Sequence, residues 1–227
     1  MSINDSSLNI AAIFDMDGTL IDNTPYHYKA WQSVFAKHNM AELTRETYLD
    51  EISGVPIIKT IKRYFGDSLD EASLKLIAKE KQQFYEEAFK PSLKPITGLE
   101  SFLAELKAGG TKMAVATSST MADVDFIFES IPIRQYFDAI IVGSMVSESK
   151  PSPQIFLKAA EKLNAHPDKC VVFEDSIMGL QAGNNARMKV VGITTAHPAE
   201  RISRLANMTI ADYTAINRQK LAALFNQ

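Results

Sequence analysis

The chain has 227 residues, 46% hydrophobic and 22% charged, the balance of an ordinary folded protein with enough apolar material for a sizeable core. Lys and Arg number 24 against 27 Asp and Glu, a net charge of -3, with both signs mixed along the chain. No basic stripe points to nucleic acid, no polybasic block points to a membrane surface, and no apolar stretch approaches the ~20 residues that span a bilayer.

The opening MSINDSSLN is polar and lacks the charged start and apolar run of a signal peptide, so a cytoplasmic location is expected. The first apolar run is IAAIF at 10–14, strand-length and hydrophobic on both faces. Acids follow it at once: Asp15 and Asp17, then Gly18 and Thr19. Residues 25–38 read as a helix carrying Tyr28, Trp31, Val34, Phe35 and His38 on one side. After SGVP at 53–56, residues 56–65 read as a helix, and Ser68 with Glu71 is expected to cap a longer one reaching about Phe89. No convincing strand occurs in this block.

Further on, Thr97 and Glu100 form a capping-box pattern before Leu99, Phe102, Leu103 and Leu106, and Gly109-Gly110 end that helix. Strand-like runs then alternate with helices: KMAVA at 112–116, AIIV at 139–142, CVVF at 170–173 and VVGI at 190–193. Ser152-Pro153 opens a helix with Ile155, Phe156, Ala159, Ala160 and Leu163 on one face. Cys170 is the sole cysteine, so no intramolecular disulfide can form, and its apolar surroundings mark it as a core thiol. The alternation predicts an α/β fold with a doubly wound parallel sheet, interrupted after its first strand by a helical block of roughly 20–93. The core would then comprise 1–19 and 94–227.

In open parallel sheets, ligands bind beyond the carboxyl ends of the strands. Four polar clusters hold such positions here: Asp15/Asp17, Thr117-Ser118, Glu174-Asp175, and Lys150 a loop beyond AIIV. Any one of them could be a helix cap or a solvated loop. Together they hold what metal-assisted phosphoryl transfer requires: carboxylates for a hard cation, and an ammonium and a hydroxyl for phosphate oxygens.

FDMDGT, ATSS, SKPSPQIF and FEDS, in this order and spacing, resemble the four motifs of the haloacid dehalogenase-like superfamily. The helical block resembles the small cap of its β-phosphoglucomutase-like branch, and the resemblance runs from about residue 10 to 195. It implies an aspartyl-phosphate phosphatase with Asp15 as nucleophile and Asp17 as general acid and base. It further implies Mg²⁺ held by Asp15, the Asp17 carbonyl oxygen and Asp175, with Glu174 supporting it through water. Thr117, the Ser118 backbone amide and Lys150 would hold the phosphate. The expected partner is a small phosphorylated metabolite, with no nucleic acid, no membrane, and a monomeric chain.

The remaining candidates are less determined. Trp31 reads as cap core that also shields the site. His27 either touches the acid/base residue or lies on a helix surface, and the sequence leaves both open. His38, His166 and His197 show no ligand-like spacing and read as surface residues. The nine methionines are scattered and read as packing. Ser53 and Gly54 of SGVP resemble the cap's substrate loop, with an ordinary interhelix turn as the alternative. Gln154 stands where the family usually has Asp, which puts the support of the lysine loop in question.

A mutase of this branch places a lysine and an arginine in the cap loop to hold a second phosphate, where this chain has Ser53 and Ile57. Asn23 also replaces a threonine common in that enzyme. A sugar or polyol phosphatase is therefore the expectation, with β-phosphoglucomutase and inorganic pyrophosphatase as rivals. A receiver-type phosphoacceptor also clusters aspartates, a hydroxyl and a lysine, but it is shorter and has no such insertion. A degenerate, partner-binding relative is the further alternative, though every catalytic position is intact.

Overall fold

The computed structural model describes residues 10–89 and 92–226. The polar opening read as lacking a signal sequence lies outside these residues. In chain order the elements are β1 (Ala11–Phe14), α1 (Thr24–Lys37), α2 (Arg45–Thr47, running into a π-turn over Tyr48–Ile52), α3 (Ile57–Phe65), α4 (Glu71–Phe89) and α5 (Leu99–Ala108). Then come β2 (Lys112–Thr117), α6 (Met121–Ser130), β3 (Ala139–Val142), α7 (Gln154–Lys162), β4 (Cys170–Glu174) and α8 (Ile177–Asn185). The last are β5 (Lys189–Ile193), α9 (Ala199–Ile202), β6 (Met208–Ile210) and α10 (Arg218–Ala223).

The six strands form one parallel sheet in the order β3-β2-β1-β4-β5-β6. β1 lies between β2 and β4, so the chain winds outward in both directions from it, and the carboxyl end of β1 is the crevice where such a sheet takes its ligand. Alternation along β1 divides the core. Ala12 and Phe14 enter one apolar layer with Phe102, Phe173 and Tyr213, while Ala11 and Ile13 enter the other with Phe156, Ala159 and Val172. Phe14 stacks on Phe173 with ring centroids 4.5 Å apart and meets Phe102 edge-on at 6.5 Å. Cys170 is buried in the second layer, as its apolar run predicts.

The helices between β1 and β2 build their own apolar cluster from Trp31, Val34, Phe35, Leu43, Tyr48, Ile52, Ile61 and Ile77. The strands of chain that leave and re-enter the sheet lie side by side: Ile21 bridges Pro95, and Ile96 N–H donates to the Leu20 carbonyl at 3.0 Å. The insertion thus departs and returns at one point, beside the carboxyl end of β1. Among the described residues, no helix is long and apolar enough to cross a membrane.

Several local expectations are corrected. The Thr97/Glu100 capping box does not form. α5 starts at Leu99 behind Gly98, which is left-handed (φ 80°), and the Thr97 carbonyl accepts from Tyr213 N–H instead. Ser68 does not cap α4; the Asp70 carboxylate lies two residues closer and accepts from Ser73 N–H at 2.8 Å. A genuine box opens α6, where Thr120 and Asp123 exchange bonds. The sheet has a sixth strand, β6, whose three residues, two half-buried and Ile210 buried, form too short an apolar run to read as a strand. His197 is not a surface residue but 1% exposed, in the loop after β5. His38 is half-buried and bonds the Glu80 carboxylate at 2.7 Å, whereas His166 is exposed.

Phe14 bonds the two central strands through its ring stack, so Phe14→Ala should cost about 3–5 kcal/mol of unfolding free energy. The check is the urea midpoint against Leu76→Ala, a truncation of an exposed α4 side chain expected to stay within about 0.5 kcal/mol.

Candidate active site

Asp15 is the first residue beyond β1, and its N–H still donates to the Phe173 carbonyl of β4 at 3.0 Å. That bond carries the strand register one residue past the sheet and holds the Asp15 carboxylate beside Glu174 and Asp175 at the end of β4. Oxygens of these three carboxylates lie within 4.8 Å of one another. Lys150, with its side chain 1% exposed, donates to both Asp15 Oδ1 and Glu174 Oε1. Burial would lower the lysine pKa, but the Asp15 and Glu174 charges outweigh it and keep the ammonium protonated.

One ammonium does not balance three buried carboxylates. Burial, with the Glu174 and Asp17 charges adding to it, raises Asp15 to about 8 in spite of Lys150. Asp175 is likewise pushed upward by burial, then by Glu174 and Asp15. A hard divalent cation takes carboxylate oxygens as ligands, and its charge offsets this imbalance, so the donor set fits such an ion. Glu174 is the most committed of the three. Its Oε2 accepts from Asp175 N–H, Ser176 N–H and Ser176 Oγ at 2.8–2.9 Å, so it fixes both Lys150 and the loop that carries Asp175.

The loop to Lys150 is anchored by Gln154. Its Oε1 accepts from Ser147 N–H, Ser147 Oγ and Glu148 N–H at 3.0–3.1 Å. Those bonds require only an acceptor oxygen, and an amide supplies one as a carboxylate does.

Asp17 sits in different surroundings. Its Oδ1 accepts from Asn23 Nδ2 and from His27 Nε2 at 3.2 Å, and its Oδ2 accepts from Ser119 Oγ at 2.6 Å. Burial alone would raise its pKa, but the donors from His27, Ser119 and Asn23 outweigh burial and hold it well below the usual carboxylate range. His27 is therefore an active-site neighbour and not a helix-surface histidine. Its ring stacks on Tyr85 at 4.0 Å, and its Nδ1 accepts from Lys81 Nζ at 2.7 Å. Burial and the Lys81 charge lower the His27 pKa, so the ring is neutral with its proton on Nε2, facing Asp17. Lys81 is itself buried, which brings it down to about 8. Asn23 completes the bracket by accepting from Gly18 N–H at 3.0 Å and donating to Tyr85 Oη at 2.7 Å.

Gly18 and Gly54 set the close approaches. Both have positive φ, 73° and 75°. A side chain at Gly18 would run into the Asp175 carboxylate, and a Cβ at Gly54 would stand 2.8 Å from Ser176 Oγ. The Gly54 carbonyl also accepts from Ser118 Oγ at 3.3 Å, so SGVP lies directly over the sheet ends and is more than an interhelix turn. The cavity between them measures about 290 Å³ and is lined by Asp15, Asp17, Thr117, Ser118 and Asp175 below, with Trp31, Ser53 and Gly54 above. Thr117 is buried at the end of β2, with Oγ1 accepting from Ser119 N–H at 3.0 Å. Trp31 is 4% exposed and belongs to both the cavity wall and the insertion's core.

The structure thus gathers every candidate site residue around one cavity except Lys150 and Glu174, which lie just behind its wall. Sequence reading missed Ser119, Tyr48, Ser176 and the whole inner face of α4, including Lys81 and Tyr85. The signal for α4 was a lysine and a tyrosine at i and i+4, on a helix whose Ile77 and Phe89 also turn inward.

Lys150→Ala leaves Asp15 and Glu174 buried without their counter-charge. A loss of about 3–5 kcal/mol is expected, read from urea unfolding in metal-free buffer. Lys150→Arg should recover only part of it, because a planar fork does not replace a compact ammonium.

The model of the haloacid dehalogenase-like hydrolase family matches residues 12–193. Fructose-1-phosphate phosphatase YqaB of Escherichia coli is 31% identical over 181 residues, 80% of this chain and 94% of that protein. Among solved structures, β-phosphoglucomutase from Clostridium difficile superposes with a TM-score of 0.84 at 26% identity, over 95% of this chain and 96% of that one. The CbbY protein from Rhodobacter sphaeroides, in complex with xylulose 1,5-bisphosphate, gives a TM-score of 0.76 at 26% identity, over 90% and 95% of the two chains. With its family model matched from β1 through β5, the chain belongs to the haloacid dehalogenase-like hydrolases.

Proposed function

We propose that this chain is a Mg²⁺-dependent phosphatase that hydrolyses a small sugar or polyol phosphomonoester through an aspartyl-phosphate at Asp15, with residues 20–93 serving as its cap. One observation carries the reading: two carboxylates two residues apart are set in opposite environments, Asp15 against Lys150 and Asp17 against Asn23, His27 and Ser119. The names of relatives such as the fructose-1-phosphate phosphatase support the substrate class.

Asp15, Asp175 and the Asp17 carbonyl would hold the ion, which when bound screens Asp15 from the anionic phosphate. Thr117 and the Ser118 amide would hold the phosphate oxygens, while Lys150 restrains Asp15 and offsets the negative charge from behind it. An Asp15 carboxylate oxygen attacks phosphorus, the ester P–O bond breaks, and Asp17 passes its proton to the departing alkoxide. Asp17, now ionised, takes a proton from water, whose oxygen displaces Asp15 and releases inorganic phosphate. The donors around Asp17 favour the ionised form that the second half requires. A dianionic phosphate arriving beside it raises its proton affinity for the first half. The insertion excludes bulk water from both steps.

The mutase reading draws on the likeness to β-phosphoglucomutase. Against it stands the cavity wall. A mutase must grip a second phosphate with fixed cations. Lys59 Nζ instead donates to Ser149 Oγ, outside the cavity, and neither Lys62 nor Arg63 lines it. Inorganic pyrophosphate would leave the apolar part of the wall, Trp31, Ile52 and Ile57, uncovered.

Hydrolysis of an aryl phosphate should vanish in Asp15→Asn and in excess chelator; full activity in either ends the aspartyl-phosphate reading. Asp17→Asn should slow turnover by at least ~10², and less for substrates with good leaving groups. Supplied with β-glucose 1-phosphate and its 1,6-bisphosphate, the protein should release inorganic phosphate faster than glucose 6-phosphate. The reverse order would make it a mutase.

A further inference from the structure

α4 turns one stripe of side chains toward the cavity: Ala78, Lys81, Gln82, Tyr85 and Glu86, at spacings of three and four residues. Lys81 and Tyr85 serve the reacting end, through His27 and Asn23. Gln82 and Glu86 bond each other instead. Gln82 Nε2 donates to Glu86 Oε1 at 2.8 Å, which orients a half-buried carboxylate on the cavity wall. Asp123 also lines the cavity, from the first turn of α6. Its Oδ2 accepts from Thr120 N–H at 2.8 Å and from Thr120 Oγ1 at 2.6 Å.

The sign of this wall is unusual for a site that takes an anionic ligand. Among the described residues lining the cavity, only His27 and Lys81 can carry positive charge, and the Lys81 ammonium is directed at His27. Glu86 and Asp123 both act on Lys81 through space, so they share its neighbourhood. Apart from Asp15, Asp17, Asp175 and His27, the charged groups that line the cavity are therefore two carboxylates and one ammonium that is already engaged. A second anionic group placed there is repelled, whereas hydroxyl groups can donate to the carboxylates.

We infer that Glu86, oriented by Gln82 and reinforced by Asp123, is a specificity-determining residue that accepts the hydroxyl tail of a monophosphorylated sugar or polyol and rejects substrates bearing a second phosphate or a carboxylate at that end. The inference rests on the phosphatase reading for the position of the first phosphate.

Two ligands isolate the effect, because they differ only at the far carbon. Glucitol 6-phosphate ends in a hydroxymethyl group and 6-phosphogluconate in a carboxylate. Their dissociation constants are to be measured by calorimetry with Mg²⁺ present, in Asp15→Asn so that neither is turned over. Glucitol 6-phosphate should bind at least about tenfold more tightly. Adding Glu86→Gln, which keeps the shape and removes the charge, should shrink that ratio to within about threefold, and Glu86→Lys should invert it. Equal constants with Glu86 in place, including no binding of either ligand, overturn the filter. A ratio that survives Glu86→Gln overturns the role of Glu86. If Glu86→Lys does not fold, the isosteric Glu86→Gln decides alone. Failure of the phosphatase reading shows separately, as absent turnover of aryl phosphate and glucitol 6-phosphate by the unaltered chain.

Discussion

Holding one ammonium among three carboxylates, out of water, is the constraint around which this molecule is arranged. Lys150 reaches Asp15 and Glu174 at once, and each contact is tolerable only because the charges compensate within a region of low dielectric. Such a cluster needs backbone that cannot drift. A parallel sheet provides it, because the carboxyl ends of β1 and β4 are locked in register and point the same way. Loops that carry the remaining groups are then pinned individually, by Gln154 before Lys150 and by the Glu174 carboxylate after β4. The uncompensated remainder of negative charge is what fits the cluster's donor set to a divalent cation.

Asp15 and Asp17 lie two residues apart, yet their proton affinities move in opposite directions. Separating two similar acids by their surroundings is how one site obtains both a nucleophile and a proton carrier. The sheet alone does not achieve this. Ser119 comes from the loop after β2, Asn23 and His27 from α1, and the groups that orient them, Tyr85 and Lys81, from α4. The insertion therefore supplies part of the Asp17 surroundings as well as covering the sheet ends. Its seat on the sheet is fixed by several contacts: Gly54 over Ser176, Ser118 to the Gly54 carbonyl, and the Arg201–Asp50 ion pair across from them.

The central strands were legible because parallel strands buried on both faces must be apolar throughout, as IAAIF, KMAVA and CVVF are. The acids at the strand ends were legible because they interrupt those runs abruptly. Helix starts were read less well. Thr97 and Ser68 satisfy the local capping pattern, but α5 starts behind Gly98, one residue past Thr97, and Asp70 lies nearer its helix than Ser68. His197 was misjudged for a related reason: its loop looks polar and exposed in isolation, and only packing against neighbouring elements encloses it.

By itself, then, the sequence determined the first five strands, the position of the insertion and the residues Asp15, Asp17, Thr117, Lys150, Glu174 and Asp175, since each is announced by a local pattern at a strand end or in the loop just beyond one. Only the tertiary structure decided that His27 faces Asp17, that Lys81 stands behind it, and that Lys59 turns away from the cavity. It also decided that Glu86 faces inward. Periodicity records that a helix has an inner face, but the rotation of α4 about its axis is set by how α1 and α3 pack against it. A charged side chain on such a helix reads as solvated until that rotation is known.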